Sequence, residues 1–263
     1  MRVIPHLVGM IHLQPLPGSP RFEGSMDRVL GLALDDAARL REAGFPALMV
    51  ENFGDAPFYP DSAPPETVAG MTRAVDAIAL ATGVPIGVNV LRNDAMSAMA
   101  IAAVTGAAMI RVNVLTGVMY TDQGPITGKA AQLVRKRKEL GCGVEIWADV
   151  MVKHATPPPG FDLTQASEDT ITRGQADALI ISGAGTGASP DLDRLKLARE
   201  AVGDDVRLVV GSGAAPSNLT DLLGIADTII VGSYTKQDGR ATNPVDPQRA
   251  GEVIRVAREC GLI

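Results

Sequence analysis

The sequence is poor in aromatic residues and in clustered positive charge, and both deficits exclude a class of partner. Aromatic side chains make up 3% of the chain, the formal net charge is −6, and no basic block is present. Nucleic-acid binding needs a cationic face for the phosphates, and single-strand binding usually adds aromatic side chains on which bases stack. We therefore expect no nucleic-acid partner.

Cysteines and long apolar runs are also scarce. Cys142 and Cys260 lie far apart without the spacing of zinc ligands, so neither a zinc site nor a disulfide framework is predicted. No run approaches the ~20 apolar residues that a membrane helix requires. The stretch MRVIPHLVGMIHLQPLP is interrupted by proline and histidine too early for a signal peptide. The sequence therefore predicts a cytoplasmic protein without membrane insertion.

What the sequence does contain is an alternation of short apolar runs with amphipathic segments. The predicted strands are 6–12, 47–51, 85–90, 108–114, 144–150, 178–182, 207–211 and 228–232. The predicted helices are 28–43, 65–82, 93–105, 128–140, 164–174, 189–201, 215–223 and 247–260. Glycine follows several of the helices, as at Gly44, where a left-handed residue often ends a helix.

Strands and helices that alternate in this way predict βαβ units and a parallel sheet. The near-continuous apolar strands agree, because parallel strands are covered on both faces. Eight units without a linker predict one (β/α)₈ TIM barrel domain over residues 1–263, an ordinary length for this fold. A doubly wound open sheet is the alternative, but it would not need eight evenly spaced units.

The first five predicted strands end in polar or charged residues. In a barrel, the chemistry lies at the carboxyl ends of the strands and on the loops that follow them. Side chains two apart along a strand share a face, so these groups can converge. We therefore expect a functional pocket at one end of the barrel. Its candidate residues are His12, Glu51, Asn52, Asn89, Arg111, Asn113, Asp149, Lys153 and His154.

Several roles are open to the charged residues of this pocket. Asp149 and Glu51 can form a general acid/base pair, hold Mg²⁺, or pair with Arg111, because a buried charge needs a partner. Lys153 is either a Schiff-base nucleophile with a lowered pKa or a point charge for an anionic substrate, and its place beyond the strand favours the charge. His12 is the better acid/base candidate of the histidines, because its strand has no other polar end.

The amide side chains Asn52, Asn89 and Asn113 exchange protons poorly, so we expect them to orient the substrate together with His154. All four residues lie beside the predicted mouth of the barrel. They are therefore assigned to substrate binding and not to proton transfer.

Two loops are expected to shape this mouth. Loops longer than about 12 residues in a compact domain are often lids or binding loops. The loop 116–129 is of this kind, and we expect its Tyr120 and Asp122 to close over the ligand. The loop 54–65, rich in proline and aromatic residues, can shape the rim or contact another subunit of an expected homo-oligomer.

The last three predicted strands end in glycine-rich turns, SGAGTG, GSGA and GSY. Glycine lets backbone N–H groups approach a ligand closely, and a following helix start adds free donors and a positive dipole end. Barrels often build a phosphate site from the loops after strands seven and eight. One such turn alone would indicate only a tight connection, but two neighbouring turns that each contain serine favour phosphate. The candidates are Gly185, Thr186, Gly187, Gly211, Ser212, Gly213, Ala214, Gly232, Ser233 and Tyr234.

Seven ordered stretches spread over the chain resemble the BtpA family, also called BtpA/SgcQ. They are GMIHLQPLPGSP, VENFGDAPFYP, GVNVLRND, IRVNV, ADVMVKHA, SGAGTG and VGSG. The resemblance implies a TIM-type barrel of the phosphate-binding group. The family takes its name from photosystem I accumulation in cyanobacteria, but its members also occur in organisms without photosynthesis and among sugar-metabolism genes. The resemblance implies no particular reaction.

Two classes of function follow. The first is an enzyme that acts on a small phosphorylated sugar or nucleotide-derived metabolite by isomerisation, aldol-type cleavage or glycosidic cleavage. Asp149, Glu51 and His12 would exchange protons, and Arg111 and Lys153 would stabilise negative charge. The alternative is a non-catalytic assembly or regulatory factor, such as one for photosystem I biogenesis. A degenerate site would lack polar strand ends, and this chain lacks none that we identify, which favours the enzyme.

Overall fold

Eight parallel strands close into a barrel in the computed structural model, which describes residues 6–183 and 191–263. The strands are β1 (Leu7–His12), β2 (Leu48–Glu51), β3 (Ile86–Asn89), β4 (Met109–Val112), β5 (Val118–Thr121), β6 (Gly124–Thr127), β7 (Glu145–Met151), β8 (Ala155–Thr156), β9 (Ala178–Ile181), β10 (Arg207–Val210) and β11 (Thr228–Val231). The barrel order is β1-β11-β10-β9-β7-β4-β3-β2. The predicted (β/α)₈ architecture is therefore confirmed, and the open doubly wound sheet is excluded.

Helices follow the barrel strands as the alternation predicts. They are α1 (Met26–Ala43), α2 (Pro65–Thr82), α3 (Ala95–Thr105), α4 (Ala130–Glu139), α5 (Leu163–Thr172), α6 (Leu192–Val202), α7 (Leu219–Leu223) and α8 (Pro247–Glu259). Polar side chains accept hydrogen bonds from the free N–H groups at several helix starts, including Ser25 before α1 and Asp246 before α8. Gly44 ends α1 with φ 112°, a left-handed conformation that favours glycine.

The core has two layers because the two faces of each barrel strand are both buried. Inside the barrel, one cluster contains Met10, Met49, Trp147 and Ile180 among its members. Between the barrel and the helices lies a larger cluster built from the outward strand residues and the apolar helix faces. None of the helices in the described part of the chain combines the length and the hydropathy that crossing a bilayer requires.

The loop 116–129 is more regular than the sequence predicts. It contains the hairpin β5–β6, and β8 pairs with β5 to give a three-stranded antiparallel sheet outside the barrel. Val114, Met119, Ile126 and Val152 form a small buried cluster of their own beneath this sheet. The connection after β4 is thereby joined to the one after β7, which carries Lys153.

Candidate active site

The polar strand ends form the innermost layer at the carboxyl end of the barrel. Side chains two apart along a strand share a face. His12 therefore continues the inward row of Met10, and Asp149 continues that of Trp147, whose side chain is fully buried. Parallel pairing in register places His12 opposite Glu51 and Glu51 opposite Asn89. The apolar cluster within the barrel packs directly beneath these polar groups.

Asp149 and Arg111 form a buried ion pair in this layer. Arg111 donates from Nε to Oδ2 and from Nη2 to Oδ1 of Asp149, each at 2.8 Å, and the two side chains are 1% and 0% exposed. Ser182 donates its hydroxyl to Oδ1 at 2.9 Å, and Asn113 donates its amide to Oδ2 at 3.3 Å. Both carboxylate oxygens of Asp149 are therefore occupied by donors from the protein.

The same guanidinium also reaches the glycine-rich turn GSGA that follows β10. Arg111 donates from Nη1 to the Gly211 carbonyl at 3.2 Å and from Nη2 to the Ser182 hydroxyl at 3.1 Å. Burial lowers the pKa of Arg111, but the charge and hydrogen bonds of Asp149 outweigh burial and raise it. Arg111 is thus a permanent cation whose donors hold strand ends and the turn in place.

These contacts contain one of the alternatives predicted for Asp149, its pairing with Arg111. Both carboxylate oxygens already accept hydrogen bonds, so Asp149 would have to give up a donor to take a proton, and its acid/base role and the charge-stabilising role of Arg111 stay predictions. A Mg²⁺ ion held by Glu51 and Asp149 does not fit this arrangement, because Asp149 is already surrounded by donors and by the guanidinium. Among the described residues, no group of three or more His, Cys, Asp or Glu side chains could hold a metal ion.

One carboxylate oxygen of Glu51, Oε1, accepts no hydrogen bond from a described residue. Asn89 donates its amide to Oε2 of Glu51 at 2.6 Å. This amide group therefore orients the carboxylate, and its predicted contact with a substrate stays a prediction. Oε1 of Glu51 lies 3.9 Å from Nε2 of His12, and the two side chains are 3% and 5% exposed. Glu51 and His12, both candidates for proton transfer, therefore lie side by side in the buried polar layer.

His12 is held as a neutral imidazole. Burial lowers its pKa well below 6.5, and the charges of Lys236, Lys153 and Arg111 lower it further. The Ala241 backbone acts in the opposite direction and raises the pKa, but the buried Nδ1 makes no hydrogen bond of ordinary geometry to a described residue. A neutral imidazole with an unpartnered nitrogen can accept a proton or a hydrogen bond from a ligand.

Lys153 reaches the mouth from the loop after β7. Burial lowers its pKa, as does repulsion from Arg111 and Arg92, whereas the carboxylates of Glu51 and Asp149 act in the opposite direction. Arg92 itself is 5% exposed and donates to the Lys153 carbonyl at 2.7 Å, which fixes the loop. A lowered pKa is compatible with both predicted roles of Lys153, the point charge and the Schiff-base nucleophile.

A cavity of about 200 Å³ lies between the turns after β10 and β11. It is lined by residues 211–215 and 232–234, with His12, Lys153 and Arg249 around them. The backbone N–H groups of Gly213 and Ala214 donate to no residue in the described ranges. We call this cavity the glycine cradle. Backbone donors and two cations in one concave site are the arrangement that binds an anion.

Arg249 is a part of the glycine cradle that the sequence does not reveal. It lies in the first turn of α8, donates from Nε to the Tyr234 carbonyl at 2.6 Å, and stacks on the Tyr234 ring at 4.3 Å. Tyr234 turns its hydroxyl away to Glu252, so it contributes backbone and a ring and not the hydroxyl. A cation in the first turn after the last βα loop is the signal that could have found Arg249.

The remaining predicted residues fall into three groups. Asn113 has a buried carbonyl oxygen without a described partner, as a substrate-orienting amide would need. Asn52 does not: its amide donates to Asp55 and its carbonyl oxygen accepts from the Leu91 N–H, so both ends serve the protein. Gly185, Thr186 and Gly187 lie outside the described residues.

The hairpin and loop residues lie at the outer rim. Tyr120 is 48% exposed on β5, and Asp122 is exposed in the hairpin turn. His154 is exposed, with φ 57°, and burial together with Lys153 and Arg92 lowers its pKa. None of the three lines the glycine cradle, so the structure leaves them at the rim and does not bring them to the polar layer.

Sequence comparison finds relatives along nearly the whole chain. A family model described as the BtpA family matches residues 4–259. The chain is 45% identical over 253 residues to the photosystem I biogenesis protein BtpA of Synechocystis sp., covering 96% of this chain and 88% of that protein. It is 48% identical over 253 residues to a protein of Thermococcus kodakarensis (96% and 95%), and 30% identical over 251 residues to the putative sgc region protein SgcQ of Escherichia coli (94% and 92%).

Structure comparison finds barrels of the same architecture. N-(5′-phosphoribosyl)anthranilate isomerase from Pyrococcus furiosus matches with a TM-score of 0.58 and 12% identity, covering 97% of this chain and 100% of that one. Orotidine 5′-phosphate decarboxylase from Pyrococcus horikoshii matches with a TM-score of 0.56 and 18% identity, covering 96% and 99%. At this identity the likeness shows the fold, and function has to come from the site.

Proposed function

The chain belongs to the BtpA family, and from that premise we propose that it is an enzyme acting on a small phosphorylated sugar or nucleotide-derived metabolite at the carboxyl end of the barrel. The glycine cradle carries the proposal. It joins backbone N–H groups that have no partner in the described ranges to Lys153 and Arg249, and it opens beside His12. A phosphate held there would bring the rest of the ligand within reach of Glu51.

Glu51 and His12 are the proposed proton-transfer groups. Glu51 Oε1 lies 3.9 Å from Nε2 of His12, and His12, which lines the cradle, has a lowered pKa and a buried Nδ1 without a bond of ordinary geometry to a described residue. Isomerisation, aldol-type cleavage and glycosidic cleavage all require a proton to leave one substrate atom and another to arrive elsewhere. In isomerisation and aldol-type cleavage, Lys153 would stabilise the oxyanion that forms in between; glycosidic cleavage develops positive charge on the sugar instead, and there Lys153 would only hold the anionic substrate. Asp149 and Arg111 would hold the layer rigid.

Phosphate binding is tested first, with inorganic phosphate as the probe. We expect Arg249→Gln to weaken its Kd by about tenfold or more, because a hydrogen bond to a charged group contributes ~1.5–3 kcal/mol. Arg255→Gln is the matched control, since Arg255 lies on the same helix and pairs with Glu259. Titration calorimetry or phosphorus NMR measures both. If the wild-type protein does not bind inorganic phosphate at a concentration of about 100 mM, which is ~100 times a Kd of 1 mM, the proposal is wrong.

Turnover is tested next. Phosphorylated metabolites are screened by thermal shift, in which a ligand at 100 times its Kd stabilises by about 2.7 kcal/mol. For any substrate found, Glu51→Gln should abolish turnover and leave binding in place. Lys153→Arg separates the two roles of the lysine: it keeps the charge but cannot form a Schiff base. Loss of turnover with intact phosphate affinity would assign Lys153 as the nucleophile.

The name of the Synechocystis relative favours a second candidate, a non-catalytic factor in photosystem I biogenesis. In that case the barrel would be inherited scaffold, and its surface would contact partners. Glu51→Gln also discriminates here, because the glutamine is isosteric and buried. A cell whose only copy carries Glu51→Gln and keeps every phenotype of the wild type would support the factor over the enzyme.

A further inference from the structure

A second cavity of about 520 Å³ lies at the same end of the barrel as the glycine cradle. Its walls come from the loop after β1, the first turns of α1, the loop after β2 and Thr242 of the loop after β11. We call it the apolar groove. The groove therefore lies at the carboxyl end of the barrel, between its mouth and the first turns of α1.

His12 is the wall between the two cavities. Its ring packs against Phe53 of the apolar groove, with ring centroids 4.7 Å apart. On the cradle side, a Cβ placed on Gly232 would lie 3.4 Å from Cε1 of the same ring. One imidazole thus touches both cavities, and a ligand that extends past it occupies both.

The lining of the apolar groove differs in chemistry from that of the glycine cradle. It presents Leu13, Leu32, Phe53 and Phe58. Two arginines also border it, and both residues are exposed. Arg28 pairs with Glu23, and Arg21 donates to the neutral carbonyls of Gly54 and Ala56 at 3.3 Å. The four apolar side chains therefore suit an uncharged ring that can stack or pack against them.

We propose that the apolar groove is the ring-binding half of the active site, so that the ligand is a phosphate ester bearing a flat, uncharged aromatic or heteroaromatic ring. This inference rests on the proposed function, whose phosphate end it needs. A small sugar phosphate would leave the larger cavity empty, although cavities of ~300–1,000 Å³ are the usual size for ligands of nucleotide scale. Nucleoside 5′-monophosphates have the required chemistry and serve as the probes.

The experiment compares inorganic phosphate, ribose 5-phosphate, adenosine 5′-monophosphate, uridine 5′-monophosphate and adenosine by titration calorimetry on the full chain. We expect at least one nucleotide to bind at least about fivefold more tightly than ribose 5-phosphate, as stacking on aromatic side chains predicts. Phe58→Ala and, separately, Leu32→Gln should remove that gain and leave ribose 5-phosphate within about twofold. Leu80→Ala, at a residue 80% exposed on α2, is the control that should change nothing.

The binding results distinguish the ring-binding role of the apolar groove from the proposed function of the glycine cradle. If ribose 5-phosphate binds and no nucleotide binds more tightly, or if the gain survives both groove variants, the inference is wrong and the proposed function stands. If neither inorganic phosphate nor any ester binds, both fall. If adenosine binds as tightly as its monophosphate, the two cavities do not share a ligand. Leu32→Gln is the second variant because Leu32 is 39% exposed on a helix surface, so this substitution should leave the fold intact even if Phe58→Ala does not.

Discussion

Replacing Asp149 by asparagine tests whether this carboxylate stabilises the barrel or moves protons. The side chains of Asp149 and Arg111 are 0% and 1% exposed, so the substitution leaves a buried guanidinium without its counter-charge. Removing one partner of a buried ion pair costs about 3–5 kcal/mol. The amide oxygen still accepts from some of the former donors, so we expect a loss near the lower limit, about 3 kcal/mol.

The measurement is the free energy of unfolding from a urea titration followed by circular dichroism, with phosphate affinity determined on the folded variant. Arg111→Met is expected to cost a similar amount. The double variant should lose less than the sum of the two, because it no longer contains an uncompensated charge. The reasoning is refuted if Asp149→Asn costs less than about 1 kcal/mol while turnover falls by orders of magnitude. Asp149 would then be a catalytic group.

Three further predictions concern the frame around the site. Lys236→Met should cost about 3 kcal/mol in urea unfolding, because Lys236 is fully buried and pairs with Asp36 at 2.7 Å; an unchanged unfolding free energy would contradict this. Gly211→Ala should cost about 1–3 kcal/mol, since its Cβ would lie 2.5 Å from two neighbouring atoms, whereas Gly251→Ala on α8 meets nothing within 4 Å and should stabilise. His12 has a pKa below its unfolded value, so the folded state binds fewer protons. Its contribution to stability is therefore present above about pH 6.5 and lost as the pH falls below it. His12→Asn should flatten this part of the stability–pH curve, and an unchanged slope would show that other groups produce it.

The barrel could be predicted because its physical signals are local. Each parallel strand is a short run buried on both faces, and each helix has its own apolar spacing, so element type follows from neighbouring residues. The inward row of polar strand ends follows from the same alternation, as in Met10 and His12. The hairpin after β4 was missed because its strands have four residues each, Val118–Thr121 and Gly124–Thr127, and their loop signal dominated.

The state of each polar group could not be predicted, because it depends on partners distant in sequence. The oxygens of Asp149 are occupied by donors 33 to 38 residues away, and Arg111 reaches Gly211 across 100 residues. Lys236 finds Asp36 across 200 residues. Register and closure of the barrel decide these contacts. Sequence spacing therefore predicts the polar layer, but not which of its groups pair with one another and which keep atoms without a partner.

The difference between paired and unpaired polar groups is the physical basis for assigning catalytic residues. A buried polar group whose bonds are complete within the protein gains little by meeting a substrate, since it must first give up a partner. Asp149 and Arg111 are in that state. His12 Nδ1 and Asn113 Oδ1 are buried without a described partner, a cost that the fold carries unless a ligand completes them. His12 lies beside Glu51 and lines the glycine cradle, so the side of the layer whose polar atoms lack partners, and not the Asp149–Arg111 pair, is where a substrate would be bound.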